Sequence, residues 1–346
     1  MKQDKFTIAD IARIAKVSKT TVSRVLNHKP YVEAETKRRI LAIIEETGFI
    51  PQYSAISLAG GKTNIIGLLV PSLSNPYSLT VIQGVAEKIA GENFDLMLYT
   101  TGLSEQNQKR FIQKLSKNVV DGLVVLLPRE STDLEKELFT SDLPIVLIDH
   151  RGINTHVPTI AVTNEKGGYD ATKYLISLGH RAIAFITGVL DFGCSIERLE
   201  GYKVALASHD IAFESRFVTL GDFTESSGYA SAKALMNQHN PPTAIFCSND
   251  EMAIGAMKAI QDMGLRVPHD VSIIGFDDIS KASMVYPPLT TIRQPLFEMG
   301  EHAAKLLVDL INGTKIHKAC TVLQTELVIR GSCARREQTQ KIGGTQ

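Results

Sequence analysis

Cysteine is scarce and scattered. Cys194, Cys247, Cys320 and Cys333 form no Cys-x-x-Cys pair, and no histidine stands at metal-ligand spacing from them. That pattern excludes a zinc site and a disulfide framework, and the thiols read as small buried hydrophobes. Long apolar runs are absent too: the stretch from Ile65 to Val70 falls far short of the ~18 residues that a membrane helix needs. The start, Met1-Lys2-Gln3-Asp4-Lys5, leads into an alternating polar pattern instead of a signal-peptide core. The expectation is a soluble, cytoplasmic protein with no membrane partner. Catalytic signatures are missing as well, with no Gly-x-Ser-x-Gly elbow, no His-Glu-x-x-His and no Gly-x-Gly-x-x-Gly turn. No enzyme, no metal and no cofactor are therefore expected.

What is present is ordinary in amount and uneven in placement. The 346 residues, 44% of them hydrophobic, suffice for about two or three core-burying domains. Net charge is zero, from 37 basic and 37 acidic residues. Yet residues 1–63 hold eleven of the basic and six of the acidic ones, which leaves 26 and 31 for the other 283. A small basic head on a larger acidic body fits one domain that meets a polyanion and one that does not.

In the head, Thr7 is a plausible N-cap for a short helix with Ile8, Ile11, Ala12 and Ala15 on one face. After Lys16-Val17, Ser18 can cap a second helix from Lys19 to Leu26. Its apolar stripe is Val22, Val25 and Leu26, while Lys19, Thr20, Thr21, Ser23 and Arg24 face outward. Two short helices joined by about three residues make a helix-turn-helix, whose second helix lies in the DNA major groove. Hydroxyls and an Arg fork suit base edges and phosphates. Asn27-His28-Lys29-Pro30 ends that helix, because Pro restricts the residue before it. A third helix is expected from about Ala34 to Thr47, with Ile40, Ile43 and Ile44 inward, Lys37-Arg38-Arg39 outward and Gly48 as its stop. A generic small helical bundle with solvated polar faces shares this spacing.

The residues Thr7-Ile8-Ala9-Asp10-Ile11-Ala12, followed by Val17 through Asn27, resemble the DNA-binding headpiece of the lactose repressor/galactose repressor (LacI/GalR) family. The resemblance implies that Lys19 and Thr20 read bases, while Arg24 and the neighbouring Thr7, Ser18, Thr21, Ser23, Asn27 and His28 contact bases and phosphates. Beyond the headpiece, Phe49 to Asn64 is too polar and too Gly-rich for core, with room for a turn or two of helix from Ser54 to Ala59 that alone is marginal in water. In the resembling family this segment is a hinge helix that orders on operator DNA, pairs with the partner subunit's copy and wedges a leucine into the minor groove. Leu58 occupies that position, with Tyr53 and Ser57 as further contacts; such a wedge bends DNA so that both headpieces reach their half-sites. Many relatives carry Arg two residues before the leucine, and Ile56 departs from that pattern. Gly61-Lys62-Thr63 imitates the end of a phosphate-binding loop, but Ile56 stands where its first Gly belongs and the tripeptide precedes a strand instead of following one.

From residue 64 strand-like runs alternate with helical stretches: Ile65 to Val70, Phe94 to Tyr99, Gly122 to Leu127, Ile145 to Ile148, Ile183 to Thr187, Phe217 to Leu220, Ala244 to Ser248 and Val271 to Gly275. Such alternation indicates parallel sheets in doubly wound α/β lobes, and eight strands suit two lobes better than one. Ligands in open α/β sheets bind beyond the carboxyl ends of the strands. There stand Ser72 to Tyr77, Asp149-His150, Gly188 to Arg198, Asp222-Phe223, Asn249-Asp250 and Asp277-Asp278, a mix of aromatics, carboxylates, amide and Arg that suits a sugar. Asp250 and Asp278 are equally suited to capping helices, and Phe223 to ordinary lobe packing.

These segments carry the family resemblance onward. Ser195 to Tyr202, Ser248 to Ala256, Gly275 to Ile279 and Pro288 to Ile292 are similar to the family's effector-binding core, a periplasmic-binding-protein-like pair of lobes. Carried over by position, Arg198, Asn249 and Asp277 match polar effector contacts, and Tyr77, Asp149, Phe192, Phe223 and Gln294 match positions lining the same cleft. The Asn249-Asp250 pair and the Ser195-to-Tyr202 stretch are closer to members that answer to galactosides or β-glucosides than to the purine-responsive branch. The resemblance thus implies a sequence-specific repressor that binds palindromic operator DNA as a homodimer and is released by a small sugar effector. A purine- or protein-co-repressed regulator is the alternative. A glycosidase using Asp149 and Asp277, or a transport binding protein, is a remote one. The expected organisation is an all-α helix-turn-helix headpiece over 1–49, a linker with hinge helix over 50–63, a first lobe over 64–161 with about 292–320, a second over 162–291 with about 321–333, and a flexible tail over 334–346. The tail shows no leucine heptads, which favours a dimer over a coiled-coil tetramer.

Overall fold

The computed structural model describes residues 6–26, 30–49, 62–100, 102, 104, 106–107, 110–111, 119–126, 142–151, 157–314 and 320–336. They form two compact units, one of residues 1–65 with 114–121 and one of residues 66–113 with 122–346.

The first unit carries three helices, α1 (Ile8–Ala15), α2 (Lys19–Leu26) and α3 (Ala34–Thr47). A capping box starts α1: the Thr7 hydroxyl accepts from Asp10 N at 3.4 Å while the Asp10 carboxylate accepts from Thr7 N at 3.0 Å. Lys16 ends the helix in the left-handed region at φ 52°, and Ser18 Oγ accepts from Thr21 N at 3.0 Å to open α2. Gly48 closes α3 at φ 61°, a conformation that costs glycine little. Ile11, Ala12, Ala15, Val22, Val25, Ile40 and Phe49 make the core, with Ile43, Ile44 and Leu26 partly buried against it. Thr63 is tied down, because its N and Oγ1 donate to the Asp121 carboxylate at 2.7 and 2.9 Å. The hinge-helix segment and Ile56 lie outside the described residues.

The second unit contains two six-stranded sheets. In chain order its elements are β1 (Ile65–Val70), α4 (Pro76–Ala90), β2 (Asp95–Thr100), β3 (Gly122–Leu126), β4 (Ile145–Ile148), β5 (Thr159–Val162), α5 (Asn164–Ser177), β6 (Ile183–Thr187) and α6 (Gly193–Ala207). There follow β7 (Val218–Leu220), α7 (Glu225–Met236), β8 (Ala244–Cys247), α8 (Asp250–Asp262), β9 (Ser272–Asp277), α9 (Ser280–Met284), β10 (Thr290–Arg293), α10 (Leu296–Ile311), β11 (Cys320–Leu323) and β12 (Glu326–Val328). The sheet orders are β11-β5-β4-β3-β1-β2 and β12-β10-β9-β8-β6-β7. Strands β1, β3, β4, β5 and β11 run parallel, as do β7, β6, β8, β9 and β10; β12 is antiparallel to β10. Central strands such as β1, β3 and β9 are buried along their whole length, as a sheet covered by helices on both faces demands. No helix among the described residues is long and apolar enough to cross a membrane.

Three short pieces of chain cross between the sheets. They fall after Val162, between Arg293 and Leu296, and between Leu323 and Glu326. The second and third lie a little beyond the positions near 292 and 321 expected from sequence. The reason is pairing: β10 continues the second sheet, with Arg293 opposite Asp277, and β11 continues the first, with Leu323 opposite Val162. Two crossings are stitched together, since Thr325 N donates to Thr163 Oγ1 at 3.0 Å and Thr163 N to Leu323 O at 3.1 Å. The body also extends past Cys333: buried His180 engages Ser272 Oγ and Ala334 O at 3.0 and 3.1 Å, and Arg336 N donates to Leu178 O at 2.8 Å. Residues 334–336 are thus not tail; those beyond lie outside the described residues.

Helices on each sheet approach to backbone contact through reciprocal glycines. A Cβ on Gly84 of α4 would sit 2.0 Å from Phe297 O, and one on Gly300 of α10 2.3 Å from Val81 O. Gly168 and Gly201 do the same for α5 and α6, facing Arg198 O at 2.5 Å and Glu165 O at 2.0 Å. Gly228 and Gly255 do it for α7 and α8, facing Met252 O at 2.1 Å and Glu225 O at 1.9 Å. Because interiors are packed to crystal density, an added methyl there forces two helices apart. Gly201→Ala and Gly255→Ala are each expected to cost about 1–3 kcal/mol, read as a lowered midpoint of thermal unfolding. Gly91→Ala is the control: its Cβ meets nothing nearer than Lys88 O at 4.0 Å, so the midpoint should hold or rise slightly. Equal losses at all three positions would refute the close-contact account.

Candidate functional site

On α2, Ser18, Lys19, Thr20 and Arg24 are exposed and Thr21 and Ser23 half-buried, while Val22 and Val25 fill the core. Lys19, Thr20, Ser23 and Arg24 repeat at helical spacing and share one face, as a recognition helix requires. The Thr7 and Ser18 hydroxyls serve the helix caps, Ser18 Oγ also lying 2.8 Å from Thr21 Oγ1. Asn27, His28, Tyr53, Ser57 and Leu58 lie outside the described residues.

The second unit holds a cavity of about 190 Å³ at the carboxyl ends of strands from both sheets. Its floor is organised by Arg198, on the first turns of α6, whose side chain is only 2% exposed. The guanidinium lies 3.7 Å from the centre of the Phe276 ring; Nε donates to Asn164 Oδ1 at 2.9 Å and one terminal nitrogen to Ser248 O at 2.6 Å. Asp149, following β4 of the first sheet, stands 3.9 Å from it, and Asp277, ending β9 of the second, 3.8 Å. The Gly168–Gly201 contact brings α6 against α5, which is what lets Arg198 reach Asn164.

Each carboxylate has further partners. Asp149 accepts from the Tyr77 hydroxyl at 3.1 Å and from Asn164 Nδ2 at 2.9 Å. Asp277 accepts from Gln294 Nε2 at 2.6 Å. Burial outweighs Arg198 and Gln294 and pushes the Asp277 carboxyl up to about 7. Burial and then Asp149 raise the Tyr77 hydroxyl and the Cys194 thiol well above their ordinary values, so both stay protonated and Cys194 is no nucleophile. Asn249 caps α8 by accepting from Met252 N at 3.0 Å and donates to Phe223 O at 3.1 Å, which holds Phe223 at φ 68°. Behind Asn249, Asp250 accepts from Ile279 N at 2.9 Å and from the Thr291 hydroxyl, so it ties α8 to β9 and β10. Among the described residues around the cleft, Gln294 Oε1, Ser195 Oγ and Ser248 Oγ are buried without a hydrogen-bond partner.

Of the eight residues expected to contact an effector, Tyr77, Asp149, Arg198, Phe223, Asn249 and Asp277 line the cavity. Phe192 and Gln294 stand one layer behind: the Phe192 ring packs 6.0 Å from that of Phe223, and Gln294 orients Asp277. Sequence reasoning missed Pro71, Thr224, Glu225 and Glu251 as lining residues. The last two sit in the first turns of α7 and α8, where a carboxylate is as well explained by the helix dipole. Among the described residues no cluster could hold a metal ion. The arrangement offers carboxylate acceptors, a few amide and guanidinium donors and an aromatic face, which can bind a polyhydroxyl molecule and draw two sheets together around it.

Residues 7–52 match the family described as bacterial regulatory proteins of the lacI family, and residues 172–333 match a periplasmic binding protein-like domain. The transcriptional repressor PurR of Vibrio vulnificus is 35% identical over 94% of this chain and 97% of its own. The ribose operon repressor of Haemophilus influenzae is 37% identical over 94% and 98%. Among solved structures, the lac repressor dimer bound to operator and an anti-inducer superposes with a TM-score of 0.82 at 29% identity, covering 96% of this chain and all of that one. These relatives are transcriptional repressors, which sets the glycosidase and transport readings aside. With a matching headpiece, a matching body and full-length likeness to repressors, the chain belongs to the LacI family of bacterial regulatory proteins.

Proposed function

We propose that this protein is a cytoplasmic repressor that grips a palindromic operator as a homodimer and lets go when a small sugar enters the cleft. The observation that carries the reading is the Arg198 cluster, where Asp149 from one sheet and Asp277 from the other share one buried guanidinium. A ligand bonded to both carboxylates stabilises the closed arrangement of the lobes over the open one, and only such differential contact can shift the equilibrium. In a two-fold dimer each headpiece reads one half-site, so a change of lobe geometry alters the fit of both at once. Coupling is reciprocal: operator binding weakens sugar affinity by the factor by which sugar weakens operator affinity. The purine reading draws on the likeness to PurR. Against it stands a lining dominated by acceptors, which suits many hydroxyl donors better than one flat base.

Fluorescence anisotropy on a labelled palindromic DNA library, with mono- and disaccharides and with hypoxanthine and guanine, separates the two. Specific binding relieved by a sugar is the expected result; binding tightened by a purine base would replace the sugar reading. Arg24→Ala is expected to weaken operator binding and reduce the slope of log affinity against log salt by about one, the mark of a lost phosphate contact. Arg198→Lys keeps the charge but loses the fork, so operator affinity should persist while the sugar response disappears. Arg198→Ala is the poorer probe, since leaving two buried carboxylates unpaired costs about 3–5 kcal/mol of stability.

Proton linkage gives an independent check. Asp277 holds its proton up to about pH 7 in the empty cleft, chiefly through burial. A ligand hydroxyl donating to Asp277 favours the carboxylate, so binding below that pH expels the proton. Sugar affinity should therefore rise as pH climbs from 6 toward 8, by up to about tenfold per unit below the Asp277 value, and then level off. Calorimetry in two buffers of different ionisation heat counts the proton, and Asp277→Asn should abolish its release. A flat profile would remove Asp277 from the set of ligand contacts.

A further inference from the structure

Charge at the mouth of the cleft is one-sided. The β1–α4 loop brings Ser72, Ser74 and Asn75 to one lip, and the second sheet brings Asp222, Glu225 and Glu251 to the other. Lys281 lies 2.7 Å from Glu225 and offsets one of these charges. Glu251 is felt inside the cleft, where it helps to raise Asp277. Among the described lining residues Arg198 is the single cation; it donates to Asn164 and to the Ser248 carbonyl, and Asp149 and Asp277 stand 3.9 and 3.8 Å from it. Two carboxylates already face that guanidinium, so a phosphate would have to approach it past their charge. Helix N-termini are the other natural anion sites; those of α7 and α8 already face carboxylates of their own first turns, Glu225 and the Asp250-Glu251 pair, while that of α6, at Cys194, has none in its first turn but feels the nearby Asp149 and Asp277. At α4 the first position is Pro76, which has no N–H, and the Tyr77 amide is taken by Asn75 Oδ1 at 3.0 Å.

Resting on the effector reading of the cleft, we propose that Asp222, Glu225 and Glu251 form an electrostatic filter that admits neutral sugars and turns away their phosphates. Clefts lined by one sign of charge focus their field at the opening, so a phosphate dianion meets repulsion before it reaches the floor. The regulator thus reports the free sugar and ignores the phosphorylated product of the kinase reaction that consumes it. Its signal marks a supply waiting to be used.

The test compares each neutral probe with its charged form on the full-length protein by titration calorimetry: ribose with ribose 5-phosphate, glucose with glucose 6-phosphate, galactose with galactose 6-phosphate, and inosine with inosine monophosphate, hypoxanthine being added as a further neutral probe. The neutral member of the binding pair should bind about tenfold or more tightly than its phosphate at low salt. That ratio should shrink at 0.5 M salt, because screening weakens repulsion but leaves steric exclusion untouched. It should also shrink in Glu251→Gln and in Asp222→Asn, a ratio of two affinities being insensitive to any general loss of binding. A phosphate that binds as well as the neutral form, or a ratio that neither salt nor these variants move, overturns the filter. Binding of hypoxanthine with silence from every sugar overturns the sugar reading instead, and the inosine monophosphate comparison then decides the filter separately.

Discussion

A guanidinium buried to this depth sets the terms for everything around it. Moving such a charge out of water costs several kcal/mol, and only close anions, hydrogen bonds and an aromatic face offset that cost. Arg198 collects all three, from Asp149, Asp277, Asn164, the Ser248 carbonyl and Phe276. Those partners come from the ends of β4, β8 and β9 and from the start of α5, so the two sheets are registered against one another by a single side chain. Asp149 and Asp277 both adopt positive φ, at 61° and 116°, a strain that the surrounding bonds hold in place.

Much of this was legible in the sequence, for reasons that differ by element. The headpiece declares itself because its caps and apolar stripe are local: Thr7 with Asp10, Ser18 with Thr21, and Val22 with Val25 lie within a helical turn of each other. Strand ends, which collect ligands in any open α/β sheet, marked the stretches that hold six cleft residues, and the family resemblance picked those residues out. Strands β5, β10, β11 and β12 escaped the reading. They are three or four residues long, and the residues that reveal them are their distant partners, such as Ile160 opposite Thr321. Glu225 and Glu251 were hidden differently, by having a sufficient local explanation at a helix start. Which carboxylates face a cavity is decided by how α7 and α8 are rolled against their sheet, and local pattern does not encode that roll.

The reciprocal glycines account for that roll. A Gly on each of two facing helices lets the carbonyl of one sit where a side chain of the other would be, which fixes both rotation and spacing. On the second sheet this places the first turns of α7 and α8 side by side, with Glu225 O against Gly255, and so assembles one lip of the cleft. Packing deep in a lobe and charge at its mouth are thus outcomes of one contact. The pairs also leave each lobe little freedom to deform internally, so motion is directed to the segments between the sheets.

Those segments are three covalent strands of chain running side by side, two of them laced by Thr163 and Thr325. A single strand would act as a swivel, free in bending and in torsion. Three in parallel behave like a leaf hinge: they flex about one axis and resist twist and shear about the others. Relative motion of the two sheets is then confined close to one coordinate, in which a displacement at the cleft fixes the displacement at the distal ends of the lobes.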